Sequence, residues 1–409
     1  MAGPTTTPPR WTRLAPGVRV RAGAAWRDAA FGEAWRATWT SRLLVWCSGM
    51  AAVWIWGLSS RTEGFDPAGI TGGVLFAPAA RWDAVWYLEI ARNGYDQTPT
   101  AAFFPLYPLL VRGLGGSLLA AVAVSTVCFL FALAALHALT RLELGADAAR
   151  WTVLALAFSP MAFFFSALYG ESLFLALSAG AVLAARSDRW AWAGVLGALA
   201  ASTRSTGVLV LVALVMLGWR RARPAQLAWL ALVPLGLVAF PLWLGLTGHD
   251  WQAPFDAQAV WFREWGGPLG GVWDGAVAAW AGVRQLASGS SEPLYFPIAG
   301  GDPFAIARIN IALFAWVPLV AVALVGAARR LPLAYAAYAL ASLAVPLSYP
   351  VAPQPLMSLP RFVLVAFPLW MWLGWLLARH PRARWPALAV SAGLLAACTA
   401  QFATWHFVA

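Results

Sequence analysis

The chain is expected to fold as an all-α integral membrane protein, a polytopic bundle of about eleven transmembrane helices. Three observations carry that expectation. Apolar residues make up 61% of the 409 residues, against roughly 45–50% in soluble domains. Apolar runs of about twenty residues, each long enough for a hydrocarbon core, recur from Leu43 to the C-terminus. All the cations are arginines, and most of them fall in the N-terminal segment or in short connectors after every second run, as the positive-inside rule requires of cytoplasmic loops.

Taken in order, residues 1–40 form a polar segment rich in Pro, Arg, Ala and Trp, expected to stay in the cytoplasm. Residues 41–409 form a single membrane domain. Its first span begins near Leu43, and an outer loop of about residues 60–115 follows. The second span returns to Arg141. Short turns then alternate through Trp151–Ala167, a span ending at Arg186, one from Trp190 and one from Gly207 to Trp219. The span Leu227–Leu246 opens a second large outer loop, 247–303. Spans ending at Arg329 and Pro346, one opening at Arg361 and one ending at Trp405 complete the count, which leaves the N-terminus in and the C-terminus out.

This distribution gives the formal charge of +11 a partner in anionic membrane lipid rather than nucleic acid, since no basic soluble module is present. Cys47, Cys128 and Cys398 lie inside apolar runs, so no disulfide is expected. The four histidines are scattered, so neither a metal nor a cofactor is expected.

Polar chemistry is expected to face outward. Arg81–Tyr95 (RWDAVWYLEIARNGY) crowds Arg81, Asp83, Glu89 and Arg92, with Asp96 next to it, among Trp82, Trp86, Tyr87 and Tyr95, and FFPLYP follows with Tyr107. A helix over this window puts Asp83, Trp86, Tyr87 and Ile90 on one face. One reading is an amphipathic interfacial helix with its rings at headgroup depth. The other is a catalytic loop with Asp83 as base. Three further ionisable residues reach the same depth from distant parts of the chain: Glu171 in YGES, Arg204 in STRSTG, and Arg361 after Pro360. An ionisable residue at a membrane edge is expensive to bury and so marks function. Arginine binds phosphate oxygens bidentately, a carboxylate can accept a proton from a hydroxyl, and aromatic faces suit sugar rings and isoprenoid. Sugar transfer from a polyprenyl phosphate needs these parts, with Arg204 and Arg361 on the donor phosphate. Arg81, Trp82, Trp86, Tyr87, Tyr95, Tyr107, Tyr169 and Glu171 are the candidates for holding sugar or acceptor. A transporter or flippase of a lipid-linked sugar is the alternative.

RWDAVWYLEIARNGY with AAFFPLYPLL, then FSPMAFFFSALYGESLF, STRSTG and PRFVLVAFPLW, resembles the PIG-V mannosyltransferase family in order and spacing. The resemblance implies a GT-C-type glycosyltransferase fold and a polyprenyl- or dolichyl-phosphate-mannose donor. It also implies inverting transfer and a catalytic Asp in the first outer loop, which maps to Asp83. Eukaryotic members commonly carry His where this chain has Trp86, and Asn where it has Thr206. The Lys-free composition resembles that of a high-GC bacterium. The expected location is therefore the inner or plasma membrane, and the expected acceptor a lipid, glycan or protein hydroxyl rather than a glycosylphosphatidylinositol.

Overall fold

A computed structural model describes residues 16–57, 73–95, 98–219, 221–296 and 302–408, with side chains from residue 30 onward. Asp96, Arg220 and the first fifteen residues lie outside the described residues. Helix α1 spans Pro16–Trp56, and a single turn, α2, spans Gly73–Phe76. The outer segment holds α3 (Ala84–Asn93) and α4 (Leu106–Gly113). Then come α5 (Leu118–Leu144), α6 (Ala146–Ala157), α7 (Glu171–Arg186), α8 (Trp190–Ala201), α9 (Val210–Gly218), α10 (Pro224–Leu227) and α11 (Leu232–Leu246). The second large loop carries α12 (Ala253–Val260) and α13 (Gly270–Ser288). The chain closes with α14 (Pro303–Phe314), α15 (Trp316–Arg330), α16 (Leu333–Leu347), α17 (Leu359–Val365), α18 (Phe367–Arg379) and α19 (Pro381–Ala403). Among the described residues there is no strand, only one isolated bridge between Arg263 and Val351. The protein is a polytopic all-α membrane protein, as its composition predicts.

The expected count of about eleven spans needs qualification. Among the described residues, four helices are long and apolar enough to cross a membrane: Leu118–Leu144, Pro224–Leu246, Pro303–Arg330 and Pro381–Ala403. A fifth results if α17 and α18, bent by 76°, are one broken span. Trp190–Ala201, Ser205–Gly218 and Leu333–Leu347 are apolar but shorter. The run Trp151–Ala167 shows how an apolar run can lack an unbroken helix. Its helix stops at Ala157, ahead of Ser159-Pro160, and residues 158–170 continue as buried turns and a short 3-10 segment, Ala162–Phe165.

Non-helical backbone inside a membrane protein is tolerable only where its carbonyls find partners within the protein. They do here. The Arg42 side chain donates to the Ala162 carbonyl at 2.7 Å and to Ser166 Oγ at 3.0 Å. Ser391, Ser172 and Ser125 donate to the carbonyls of Phe158, Phe165 and Ala167 at 2.9, 2.7 and 2.7 Å. Arg42 is fully buried over the Phe129 ring, so it is not a solvated arginine. Nor is the N-terminal segment separate, because residues 16–40 continue as one helix into the first apolar run.

Close helix contacts rely on small residues. A Cβ on Gly374 of α18 would sit 2.0 Å from Thr152 Oγ1 of α6, and one on Gly236 of α11 would sit 2.1 Å from the Ala198 carbonyl of α8. The bundle packs α5 on α7 and α6, α7 on α8, and α1 on α5 and α19. At one end, Arg186 forks onto Glu143, with Nε 2.5 Å from Oε1 and Nη2 3.3 Å from Oε2, while the Tyr335 hydroxyl donates to the same carboxylate at 2.7 Å. Arg384 pairs with Asp147 nearby in the fold at 2.6 Å. The other end of α7 begins at Glu171, and there the remaining polar candidates meet.

Candidate active site

Asp83 immediately precedes α3, after Trp82 in a left-handed conformation (φ 57°). An aspartate in that position commonly caps its helix, but the Asp83 side chain makes no capping bond. Its Oδ2 lies 2.6 Å from Arg361 Nη1. Arg361 is the third residue of α17, after Ser358, Leu359 and Pro360, and its Nε lies 2.5 Å from Glu171 Oε1. The same Glu171 oxygen accepts from Arg204 Nη1 at 3.1 Å. Four side chains from four segments thus form one continuous chain: Asp83, Arg361, Glu171, Arg204.

Exposure is greatest at the Asp83 end and least at Glu171. The Asp83 side chain is 27% accessible, Arg361 15%, Arg204 19% and Glu171 only 1%. Glu171 opens α7, where the helix dipole favours its charge. Its role at the helix terminus and its pairing with both arginines are therefore compatible. A buried carboxylate in contact with two guanidiniums avoids the isolated-charge penalty. Asp83, by contrast, keeps its second oxygen open to the half-exposed rim.

Aromatic rings hold this chain in place. Arg361 lies over the rings of Tyr169 and Phe164, at 4.7 and 5.3 Å from their centroids, a geometry that adds attraction when desolvated. The Tyr169 hydroxyl donates to the Arg81 carbonyl at 3.0 Å and accepts from the Asp83 backbone N–H at 3.1 Å. It therefore sets the backbone that presents Asp83. Tyr87 packs edge-on against Phe103 and Tyr107 and tilted against Tyr169, with centroids 5.0, 5.2 and 6.1 Å away. Burial pushes the Tyr87 hydroxyl's pKa well up, and the charge of Glu171 adds to this. It stays protonated.

The remaining sequence candidates separate. Arg81 is fully buried, and its Nε donates to the Ala403 carbonyl at 3.0 Å. Trp82 packs edge-on against Trp405 and Phe407. Both side chains turn from Asp83 toward the C-terminal end of α19, joining the outer segment to the last helix. Tyr107 bonds Ser125 Oγ at 2.9 Å, deep against α5. Tyr95 donates to the Phe103 carbonyl at 2.8 Å and packs on Phe240 of α11. Trp86 is half-buried and meets Trp261 edge-on. These residues border the network rather than touch it.

Sequence reasoning missed Arg263, from WFREW in the second large loop. It lies close enough for Arg361, Asp83 and Arg204 to act on it electrostatically. Its signal was available: a cation flanked by aromatic residues in an outer loop, the same composition that drew attention to Arg81–Tyr95. Among the described residues, no three His, Cys, Asp or Glu side chains cluster as a metal ion would need.

Residues 70–223 match the family model described as Mannosyltransferase (PIG-V). The GPI alpha-1,6-mannosyltransferase 2 of Cricetulus griseus is 36% identical over 157 residues, 34% of this chain and 31% of that protein. The Mus musculus protein of the same name is 36% identical over 158 residues, 35% of this chain and 31% of its own length. The GPI mannosyltransferase 2 of Drosophila pseudoobscura pseudoobscura is 33% identical over 108 residues, 23% of this chain and 24% of that protein. The alignments thus span about a third or less of these relatives. No solved structure matches. The family match contains Asp83, Glu171 and Arg204, whereas Arg263 and Arg361 lie beyond it.

Proposed function

We propose, on the match of residues 70–223 to that family model, that the protein is a membrane mannosyltransferase acting on the extracytoplasmic face. The donor is a polyprenyl-phosphate-mannose, and the acceptor a hydroxyl of a lipid, glycan or protein. The observation that carries this reading is the ion-paired chain Asp83–Arg361–Glu171–Arg204, with its carboxylate end open and its guanidinium centre shielded.

The acceptor oxygen attacks the anomeric carbon from the side opposite the phosphate. A carbon–oxygen bond forms to the acceptor as the bond to phosphate breaks, so one displacement inverts the centre. The hydroxyl proton passes to Asp83, and the electron pair leaves with the polyprenyl phosphate. Arg361 holds one Asp83 oxygen and leaves the other to act as the base. Its work is to orient the hydroxyl and take the proton late, as leaving-group charge develops. That charge is met by guanidinium donors still uncommitted within the network: Arg361 uses Nε and Nη1 on carboxylates, and Arg204 uses Nη1. Preorganised donors of this kind stabilise a departing anion without reorganising. Glu171 and Tyr169 hold the arginine and the Asp83 backbone in register, Tyr87 packs behind them, and the half-buried Trp86 offers a face to the sugar.

The test is to incubate the purified full chain with polyprenyl-phosphate-mannose and a membrane lipid extract, and to analyse products by mass. A new hexosylated species with release of polyprenyl phosphate is expected. Movement of labelled lipid between leaflets with no new glycosidic bond would instead make the protein a flippase.

A further inference from the structure

Arg263 has no place in the network of four, yet the fold takes care to put it beside that network. Residues 263–269 are strapped to the connector between α16 and α17, the segment that leads into Arg361. Arg263 bridges Val351 in antiparallel fashion. The N–H of Glu264 donates to the Pro350 carbonyl at 3.4 Å, that of Gly266 to the Ser348 carbonyl at 3.0 Å, and that of Leu269 to Ser348 Oγ at 3.1 Å. Gly266 is needed for this approach, because a Cβ there would lie 2.9 Å from the Pro350 side chain. The strap also aims the arginine. Its Nη1 donates to the Tyr349 carbonyl at 3.2 Å, and its guanidinium lies 5.6 Å from the centroid of the Phe362 ring. Arg204 lies against the same ring at 5.9 Å.

The charges do not balance. Glu171 takes Arg204 and Arg361, and Asp83 takes Arg361. Among the described residues, no carboxylate pairs with Arg263. Three guanidiniums therefore share one aromatic-lined locus with two carboxylates. Burial draws the Arg263 guanidinium down to about 10, with Arg361 acting the same way, Asp83 opposing and Arg204 adding to the fall. A half-buried cation with cationic neighbours is costly to hold unless an anion completes the site.

We propose that Arg263 binds the phosphate of an isoprenoid-phosphate lipid, so that the second outer loop adds a ligand for the anion to the donors that Arg204 and Arg361 leave free of carboxylates. This rests on the donor assignment above and extends it. A guanidinium not committed to a carboxylate can offer a bidentate face to phosphate, whereas Arg361 can do so only with the donors that Asp83 and Glu171 leave. The second loop, which lies outside the family match, then contributes directly to donor recognition.

The test uses the purified full chain in detergent and measures binding of a sugar-free polyprenyl phosphate, phosphatidylglycerol and inorganic phosphate by thermophoresis. Wild type is expected to bind the polyprenyl phosphate most tightly. Arg263→Gln should weaken that binding about tenfold, the size of one lost charge-assisted hydrogen bond, and Arg263→Lys should recover part of it. In the transfer assay, Arg263→Gln should raise the donor KM with a smaller change in kcat. Arg284→Gln, an exposed arginine on α13, should change neither. Unfolding temperatures check that each variant is intact. If wild type binds polyprenyl phosphate and folded Arg263→Gln binds it equally well, the role of Arg263 is overturned while the donor assignment stands. If wild type prefers phosphatidylglycerol or inorganic phosphate, the isoprenoid assignment of this site is overturned. If wild type does not bind polyprenyl phosphate at all, the donor assignment itself fails.

Discussion

Asp83 shows what one residue's surroundings decide. Its sequence context offers it as a helix cap, but its side chain instead reaches a guanidinium contributed from 278 positions away. That pairing leaves one carboxylate oxygen free at the rim, in reach of an incoming hydroxyl. Asp83→Asn keeps the size and the contact with Arg361 but cannot take a proton. Turnover should fall at least about 100-fold while the donor KM changes little, as measured by steady-state transfer kinetics. Near-normal turnover in Asp83→Asn would remove it from the mechanism. Arg81 teaches the converse. Two positions earlier in the same charged window, it is fully buried on the Ala403 carbonyl and ties the outer segment to α19. Adjacent charged residues can face different parts of the fold.

At the scale of elements, the interrupted run Trp151–Ala167 explains why the site can exist. An unbroken helix there would carry no turn at residues 158–170, and Phe164 and Tyr169 could not reach Arg361. The interruption is sustained by Arg42 and three serines that satisfy the freed carbonyls. Helix α6 is held just before the break by α18, through the contact between Gly374 and Thr152. Gly374→Ala should therefore destabilise the protein by about 1–3 kcal/mol through overpacking, read as a lower unfolding temperature in detergent. Gly393→Ala, on α19 where a Cβ would meet nothing within 4 Å, should leave it unchanged or slightly higher. Equal effects of the two would show that α6 and α18 do not pack as closely as described.

The whole molecule has two distinct polar ends. One gathers Glu143, Arg186, Tyr335, Asp147 and Arg384, all in helix turns beside connectors that the arginine pattern assigns to the cytoplasm. The other gathers Asp83, Glu171, Arg204 and Arg361. The orientation proposed here can be checked in a background lacking Cys47, Cys128 and Cys398. Ser291→Cys, in the second large loop, should react with a membrane-impermeant maleimide in intact cells. Ser187→Cys, in the exposed connector between α7 and α8, should react only after permeabilisation. The reverse pattern would place the candidate site inside.

Hydropathy and composition by themselves determined the all-α membrane class and where the apolar runs begin and end, because both depend on neighbours along the chain. The motifs by themselves marked Asp83, Glu171, Arg204 and Arg361 as residues to watch, since a charge at a membrane edge is conspicuous wherever it occurs. Only the tertiary structure decided which runs become long helices, because Pro and Gly breaks persist only when side chains elsewhere satisfy the exposed backbone. It also decided that Arg361 joins Asp83 to Glu171, that Arg81 turns away, and that Arg263 comes to this network with no carboxylate ion-paired to it among the described residues. Ion pairing in a low-dielectric interior depends on distance in space, and a linear sequence contains no such distance.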